Sequence, residues 1–255
     1  MKTKLFALLM VIATLLPLTA CGGETPYSKL KPSEGLEFEV YDEYCKVVDI
    51  GTCKDTEIVI PASYEGKPVT SIGSGAFRKY NRGSDDNYVS FTKIHLPETV
   101  DYIGDRAFWG CDALEEVHIY AEKIHVCDYA FWECSSLTNI DLTKMNMNND
   151  YVFDACGFEE FTINEGTTTV GEGLLIKCTS LKSLTIPASV SALPRAMCQG
   201  CTNLTDVYYG GTKEQWSKID VPIIEESFWD SDKVYYWDTD TGNYTVHCSD
   251  GDITK

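Results

Sequence analysis

The feature that most constrains this chain is a phrase of apolar residues repeated at a nearly fixed interval between Phe91 and Tyr209. Ile94-His-Leu96, Ile103, Ala107-Phe108, Cys111 and Leu114 are matched 23 residues later by Val117-His-Ile119, Val126, Ala130-Phe131, Cys134 and Leu137. A worn copy follows, Ile140-Asp-Leu142, Met147, Tyr151-Val152, Ala155 and Phe158, in which two residues are lost between Leu142 and Met147 so that the later slots step by 21. Steps of 23 then give Phe161-Thr-Ile163, Val170, Leu174-Leu175, Cys178 and Leu181, and again Leu184-Thr-Ile186, Leu193, Met197-Cys198, Cys201 and Leu204. Val207-Tyr-Tyr209 opens a further strand that is not completed. A period of this size denotes stacked supersecondary units, none able to bury its apolar side alone. Short apolar triplets punctuated by Gly, Pro, Tyr and Thr predict strands and turns rather than helices.

The ends of the array are irregular. Ile58-Val-Ile60, Ile72 and Ala76-Phe77 form a first copy carrying two insertions, a turn near Tyr64–Pro68 and an exposed loop around Asn81–Asn87. Leu36–Val40 and Cys45–Val48 read as strands of an N-terminal cap. Beyond Tyr209, Lys213–Ile219 reads as a short helix, and Val234–Trp237 and Tyr244–Cys248 as strands. Trp216, Phe228 and Trp229 are expected to pack this C-terminal cap over the last copy, because an open end exposes apolar surface and unpaired strand edges.

The N-terminus carries processing information. Lys2 and Lys4 precede an apolar run from Leu5 to Leu18, too short to span a bilayer but suited to a secretory signal. The run closes with Leu18-Thr19-Ala20-Cys21, which resembles the bacterial lipobox, implying cleavage before Cys21 and acylation of its thiol. The expected organisation is a signal peptide over 1–20, an acylated tether over 21–35, an N-terminal cap over 36–57, repeats over 58–209 and a C-terminal cap over 210–255. Losing Lys2 and Lys4 takes the formal charge of the 255-residue chain from −18 to about −20. Such a surface repels nucleic acid and anionic headgroups, so contact with the membrane is expected through the lipid anchor alone.

Ile94-His-Leu-Pro-Glu-Thr-Val100-Asp-Tyr-Ile103-Gly-Asp-Arg-Ala107-Phe108-Trp-Gly-Cys111-Asp-Ala-Leu114 resembles the BspA-type leucine-rich repeat of bacterial surface proteins. Val69–Phe77 and Leu184–Val190 carry the same signature, and the flanking Gly51–Pro61 and Tyr209–Trp216 are similar to segments bordering such arrays. The resemblance implies a mainly β, leucine-rich-repeat solenoid of about six repeats of 21–23 residues with β-rich caps. It also implies an exported protein, anchored by lipid to the outer face of the cell envelope. The function it implies is non-catalytic binding of an extracellular or envelope protein or glycan, in adhesion or capture; the alternative is a structural or assembly lipoprotein.

Three sets of residues are candidate sites. The middle residues of the strand triplets point away from the core. They run Val59, His95, His118, Asp141, Thr162, Thr185 and Tyr208, and are expected to form one exposed file that is a binding face or the solvated side of a sheet. Within it His95, His118 and Asp141 would be consecutive, a weak metal candidate. Of eleven cysteines, Cys111, Cys134, Cys178 and Cys201 share one inward slot, filled by Ala155 in the worn copy, as buried thiols or as disulfides between coils. Cys45 and Cys53, in the N-terminal cap, are a possible disulfide. Cys198-Gln-Gly-Cys201 is a C-x-x-C, but both thiols fall in inward slots and no second ligand pair accompanies it. No nucleophile elbow, phosphate loop, zinc-protease motif or dinucleotide fingerprint is present, so neither an enzyme nor a cofactor is expected.

Overall fold

The structure is a computed structural model that describes residues 26–79, 90–220 and 244–254. The signal, the lipobox residues Leu18, Thr19 and Ala20, Cys21, the Asn81–Asn87 loop, Phe228, Trp229 and the Val234–Trp237 strand lie outside these residues. The chain divides into two compact units, Met1–Leu30 and Lys31–Lys255. Of the first, the described part is a single 3-10 turn, Tyr27–Lys29.

The second unit is built from short strands, as the triplets predict. β1 (Glu37–Val40) and β2 (Cys45–Asp49) form an antiparallel hairpin. β3 (Glu57–Val59) opens the first copy, and β4 (Ser63–Tyr64) and β5 (Lys67–Ile72) form the inserted turn. Its two central residues, Glu65 and Gly66, have φ of 49° and 77°, the geometry that matches the twist of a two-residue hairpin. The next copies supply β6 (Lys93–Leu96) with β7 (Tyr102–Ile103), β8 (Glu116–Ile119) with β9 (His125–Val126), and β10 (Asn139–Ile140). β11 (Glu160–Thr162), β12 (Ser183–Ile186) and β13 (Asp206–Tyr209) open the later ones, and β14 (Thr245–Cys248) and β15 (Gly251–Thr254) close the chain.

Opening strands pair in parallel, copy on copy, but in two sheets rather than one: β10-β8-β6-β3 and β11-β12-β13-β14-β15, the last strand β15 closing the second sheet antiparallel to β14. The second strands join the N-terminal hairpin as β1-β2-β5-β7-β9, with β4 on β5. Both earlier sheets stop at the worn copy. There the strand after β9 is replaced by a side chain: Asn146 Oδ1 accepts from Val126 N–H at 2.8 Å and its Nδ2 donates to Val126 C=O at 3.3 Å. Asn149 also donates to that carbonyl. A primary amide copies the donor and acceptor of a peptide, so the edge of β9 is satisfied without a strand.

The opposite side of each copy is continuous throughout. Phe108 N–H donates to Ala130 C=O, Phe131 to Val152, Phe153 to Leu174 and Leu175 to Met197, at 2.8–3.1 Å. Two backbone positions per copy make this possible. The residue before the Ala slot (Gly75, Arg106, Tyr129, Tyr151, Gly173, Ala196) and the one before the Cys slot (Gly110, Glu133, Ala155, Lys177, Gly200) all have φ between 52° and 77°. For a non-glycine residue this left-handed conformation costs about 1–2 kcal/mol. The packing that each copy makes with its neighbours offsets it.

That packing is a stack of aromatic rings. Phe77, Phe108, Phe131 and Phe153 lie face over face with centroids 5.1–5.6 Å apart and interplanar angles of 10° or less. All four are fully buried. The structure therefore corrects the alignment of the worn copy. Phe153, not Val152, fills the Phe slot, Ala155 occupies the left-handed turn, and Cys156 joins the cysteine column. The Phe slot steps by 22 residues from Phe131 to Phe153 and by 22 again to Leu175, instead of by 21 and then 23, which shifts the frame of this segment by one.

In the C-terminal cap, the helix α1 (Lys213–Trp216) is shorter than the sequence predicts and begins with a reciprocal cap between Thr212 and Gln215. Trp216 packs against the core beside Tyr209, ring centroids 5.2 Å apart. β14 lies in register on β13, with Val207 opposite Val246 and Tyr208 opposite His247, so it supplies the opening strand of a further copy.

Candidate functional site

The outward-facing residues of the opening strands form two files, one on each sheet. In the first, Val59, His95 and His118 are in register. The His95 and His118 rings stack in parallel, centroids 4.5 Å apart and planes 7° from parallel. Exposure corrects the sequence reading here: Val59 and His95 are both only 6% exposed. His95 is covered from above by its neighbours, Glu57 Oε1 lying 2.8 Å from Nε2 and Tyr120 Oη 3.2 Å from Nδ1. Burial pushes the His95 pKa below its ordinary value, although the hydrogen bond to Glu57 opposes the shift. Beside it Glu116 accepts from Lys93 at 2.7 Å and lies 2.9 Å from His118 Nε2. The hydrogen bond from Lys93 lowers the Glu116 pKa. This face is a set of mutually satisfied side chains.

Asp141 does not continue that file. The chain leaves the sheet at Ile140, and the Asp141 side chain caps the 3-10 turn Leu142–Lys144 by accepting from Thr143 N–H at 3.1 Å and from Thr143 Oγ1 at 2.5 Å. His95, His118 and Asp141 are therefore not a ligand set, and among the described residues no group of three His, Cys, Asp or Glu side chains is arranged to hold a metal ion. Aspartate is a strong cap, a local role that competes with display on a strand.

The second file is open. Thr162, Thr185 and Tyr208 are in register on β11, β12 and β13, and His247 of β14 extends them. Tyr208 is 46% exposed, and its ring stacks on His247 at 4.7 Å. His247 is held by two carboxylates, Asp206 at 2.8 Å and Asp252 at 3.0 Å, and these hydrogen bonds, Asp206 first, raise its pKa. Periodicity missed His247 because it lies outside the regular array; the alternation Tyr244-Thr-Val246-His-Cys248 was the only signal that it shares a face with Tyr208.

The cysteines form a column instead of bridges. Each thiol donates to a main-chain carbonyl one coil back: Cys111 to Phe77, Cys134 to Phe108, Cys156 to Phe131, Cys178 to Phe153 and Cys201 to Leu175, at 2.9–3.2 Å. Burial raises the Cys134, Cys156 and Cys178 pKa values well above that of a free thiol, which leaves them inert. Cys198 is likewise buried and in no disulfide. The Cys45–Cys53 disulfide is not formed: both are buried free thiols, and Cys45 donates to Tyr64 C=O at 3.4 Å. Cys45 begins a five-residue strand and Cys53 follows the turn at its far end. At about 3.3 Å per residue that strand separates the two by more than a bridge can span.

One further groove lies where the sheets stop. It has a volume of about 660 Å³ and is lined by Asp101, Lys123, His125, Lys144, Asn146 and Glu165 among others.

Comparison with known proteins matches this architecture. Among solved structures, the T. pallidum leucine-rich repeat protein TpLRR superposes with a TM-score of 0.59 at 23% identity, covering 71% of this chain and 86% of that one. A leucine-rich cell surface protein from Faecalibacterium prausnitzii A2-165 gives 0.56 at 27% identity, covering 71% of this chain and 55% of that one. A leucine-rich repeat protein from Bacteroides ovatus gives 0.56 at 25% identity, covering 69% and 46%. This chain thus spans about half the length of the latter two. No curated protein matches it. The model of the BspA type leucine-rich repeat region matches residues 51–146 and 86–205, in six copies. With its stacked strands and aligned phenylalanine and cysteine columns, the chain belongs to the BspA-type leucine-rich repeat family.

Proposed function

We propose that this protein is a cell-envelope lipoprotein, anchored through Cys21, that binds a macromolecular partner through the outer face of its second sheet. The observation that carries the reading is the open file Thr162, Thr185, Tyr208 and His247, where a large aromatic is displayed on a rigid sheet with its ring backed by a histidine. Tyrosine is enriched at protein interfaces because it brings apolar area and a hydroxyl at low entropic cost. A repeat array offers such residues at fixed spacing. One of the similar structures is a cell surface protein by description, and the signal-like N-terminus with its lipobox agrees with export. Membership of a repeat family and the absence of any catalytic motif in the sequence favour binding over catalysis.

The test uses the full-length chain against immobilised matrix proteins, glycans and envelope proteins of its own cell. Saturable binding that Tyr208→Ala and His247→Ala abolish and His95→Ala preserves supports the reading. Binding indifferent to all three overturns the assignment of the face, and retention of proteins from its own envelope alone moves the reading to an assembly role. Incorporation of radiolabelled palmitate that Cys21→Ala abolishes tests the anchor.

A further inference from the structure

We propose that the groove at the worn copy is a second binding site and that it takes a neutral oligosaccharide. It does not depend on the reading of the strand face: it runs along the edge where each copy passes from its first strand to its second. Four consecutive copies line it, through Asp101, Lys123 and His125, Lys144 and Asn146, and Glu165. With parallel strands about 4.8 Å apart, four copies span about 15 Å, room for about three linked pyranose rings.

The lining selects among ligand classes. Two ammonium groups, Lys123 and Lys144, are balanced by two carboxylates, Asp101 and Glu165. The groove therefore offers no net attraction to a polyanion, and the chain's charge of −18 opposes one. An extended peptide would draw its affinity from main-chain pairing with a free strand edge. That edge is already used: Ile124 N–H donates to Lys144 C=O at 2.9 Å, and Asn146 engages both groups of Val126. Lys144 Nζ also donates to Ile119 C=O at 2.6 Å, so what remains along the groove is a row formed by Lys123 and His125 beside the carboxylates Asp101 and Glu165. Sugar hydroxyls, which both donate and accept, satisfy such a row.

The apolar part of the site suits a pyranose as well. Ile124 and Met145 are buried beneath the groove, a surface for the C–H face of a ring. His125, exposed and lining the groove, is backed by the Tyr102 ring at 5.5 Å and 22°, so it is a braced plate at the rim. A few placed polar groups over an apolar floor is the usual make-up of a small-ligand site.

The experiment is titration of the full-length chain, in a detergent without a sugar headgroup, with chitotetraose and maltotetraose, followed by calorimetry and ligand-observed NMR. Saturable one-to-one binding of either, weakened at least tenfold by His125→Ala and by the separate variant Glu165→Gln, supports the site. Both residues lie at the surface, and an unchanged circular dichroism spectrum establishes that each variant folds. Failure of both tetrasaccharides to bind at millimolar concentration, or binding that neither variant weakens, overturns the proposal. Binding of a heparin tetrasaccharide or a Lys-Glu-Lys peptide in their place overturns the ligand class. Tyr208→Ala is expected to leave sugar binding unchanged, so failure here and failure of the strand-face reading are separable.

Discussion

The sheet β10-β8-β6-β3 and the sheet β11-β12-β13-β14-β15 place residues from the same slot of the repeat on their outer faces, yet one face is closed and the other open. His95 and Tyr208 are both the middle residue of an opening strand. One is 6% exposed and the other 46%. The difference lies in the second residue back and the first residue past the strand. Around His95 these are charged or aromatic, Glu57, Lys93, Glu116 and Tyr120, long enough to arch over the imidazole and to hydrogen-bond it. In the later sheet the corresponding file runs Glu160, Ser183, Asp206 and Thr245, mostly too short to cover Tyr208. Period fixes which way a side chain points; its neighbours decide whether water reaches it.

The phenylalanine stack lies behind the earlier copies and meets the later sheet where Phe153 packs on Phe161 of β11, centroids 5.6 Å apart, so breaking it is the harshest test of whether the two are one cooperative body. Phe131 stacks on both sides, so Phe131→Ala is expected to cost about 3–5 kcal/mol. A single denaturation transition, shifted as a whole, fits one body. Two transitions, with only one moved, would divide the molecule at the worn copy.

The junction itself offers the next effect. Asp154 is 7% exposed, and its Oδ1 has no hydrogen-bond partner among the described residues. Burial raises its pKa from 3.8 to about 7, with Lys177 opposing. The folded state therefore holds this proton more tightly than the unfolded chain. Its share of stability is greatest below 3.8 and is lost as pH rises to about 7. Asp154→Asn should recover it, raising stability by roughly 2–4 kcal/mol near pH 8 and by almost nothing near pH 4. Urea melts at the two pH values check this; an equal effect at both would show that the charge is not the cause.

Contrasting the two faces directly, Tyr208→Ala should weaken partner binding at least tenfold, about 1.4 kcal/mol, with His95→Ala within twofold of the parent. Surface plasmon resonance reads both, and equal losses would erase the distinction between closed and open.

The smallest effect is read in proton NMR titrations. His95, buried, should titrate below the ordinary histidine value, and His247, clamped by Asp206 and Asp252, above it. The signs differ. His247 contributes stability that is present at low pH and lost as pH rises through its raised pKa. His95 takes stability away as pH falls from the ordinary value through its lowered one. Matching midpoints would mean that the exposure contrast does not exist in solution.

Much of this was legible in the residues. Ile94, Leu96, Ile103, Ala107, Phe108, Cys111 and Leu114 set a repeat whose slots proved buried, with Leu142 and Val170 only partly so, because apolar residues at one period can be hidden only by stacking. The worn copy was legible as a defect but not in its frame. Cys156 and Phe153 were one residue from the slots assigned to Ala155 and Val152, and a frame shift costs nothing in a pattern that tolerates any small or apolar residue. Asp141 looked like a strand residue and is a cap, since its short carboxylate reaches the next main-chain N–H more readily than a distant strand.

The sequence by itself determined the array: the period, the class of residue in each slot, the β content and the stacking that buries them. Only the tertiary structure decided where the array divides into two sheets, that Cys45 and Cys53 stand apart, that His95 is covered while Tyr208 is bare, and that His247 joins Tyr208 from far along the chain. The reason is physical. Periodicity is a local property that one strand carries alone, whereas exposure, register between distant strands and the approach of two thiols are set by neighbours that the linear pattern does not name.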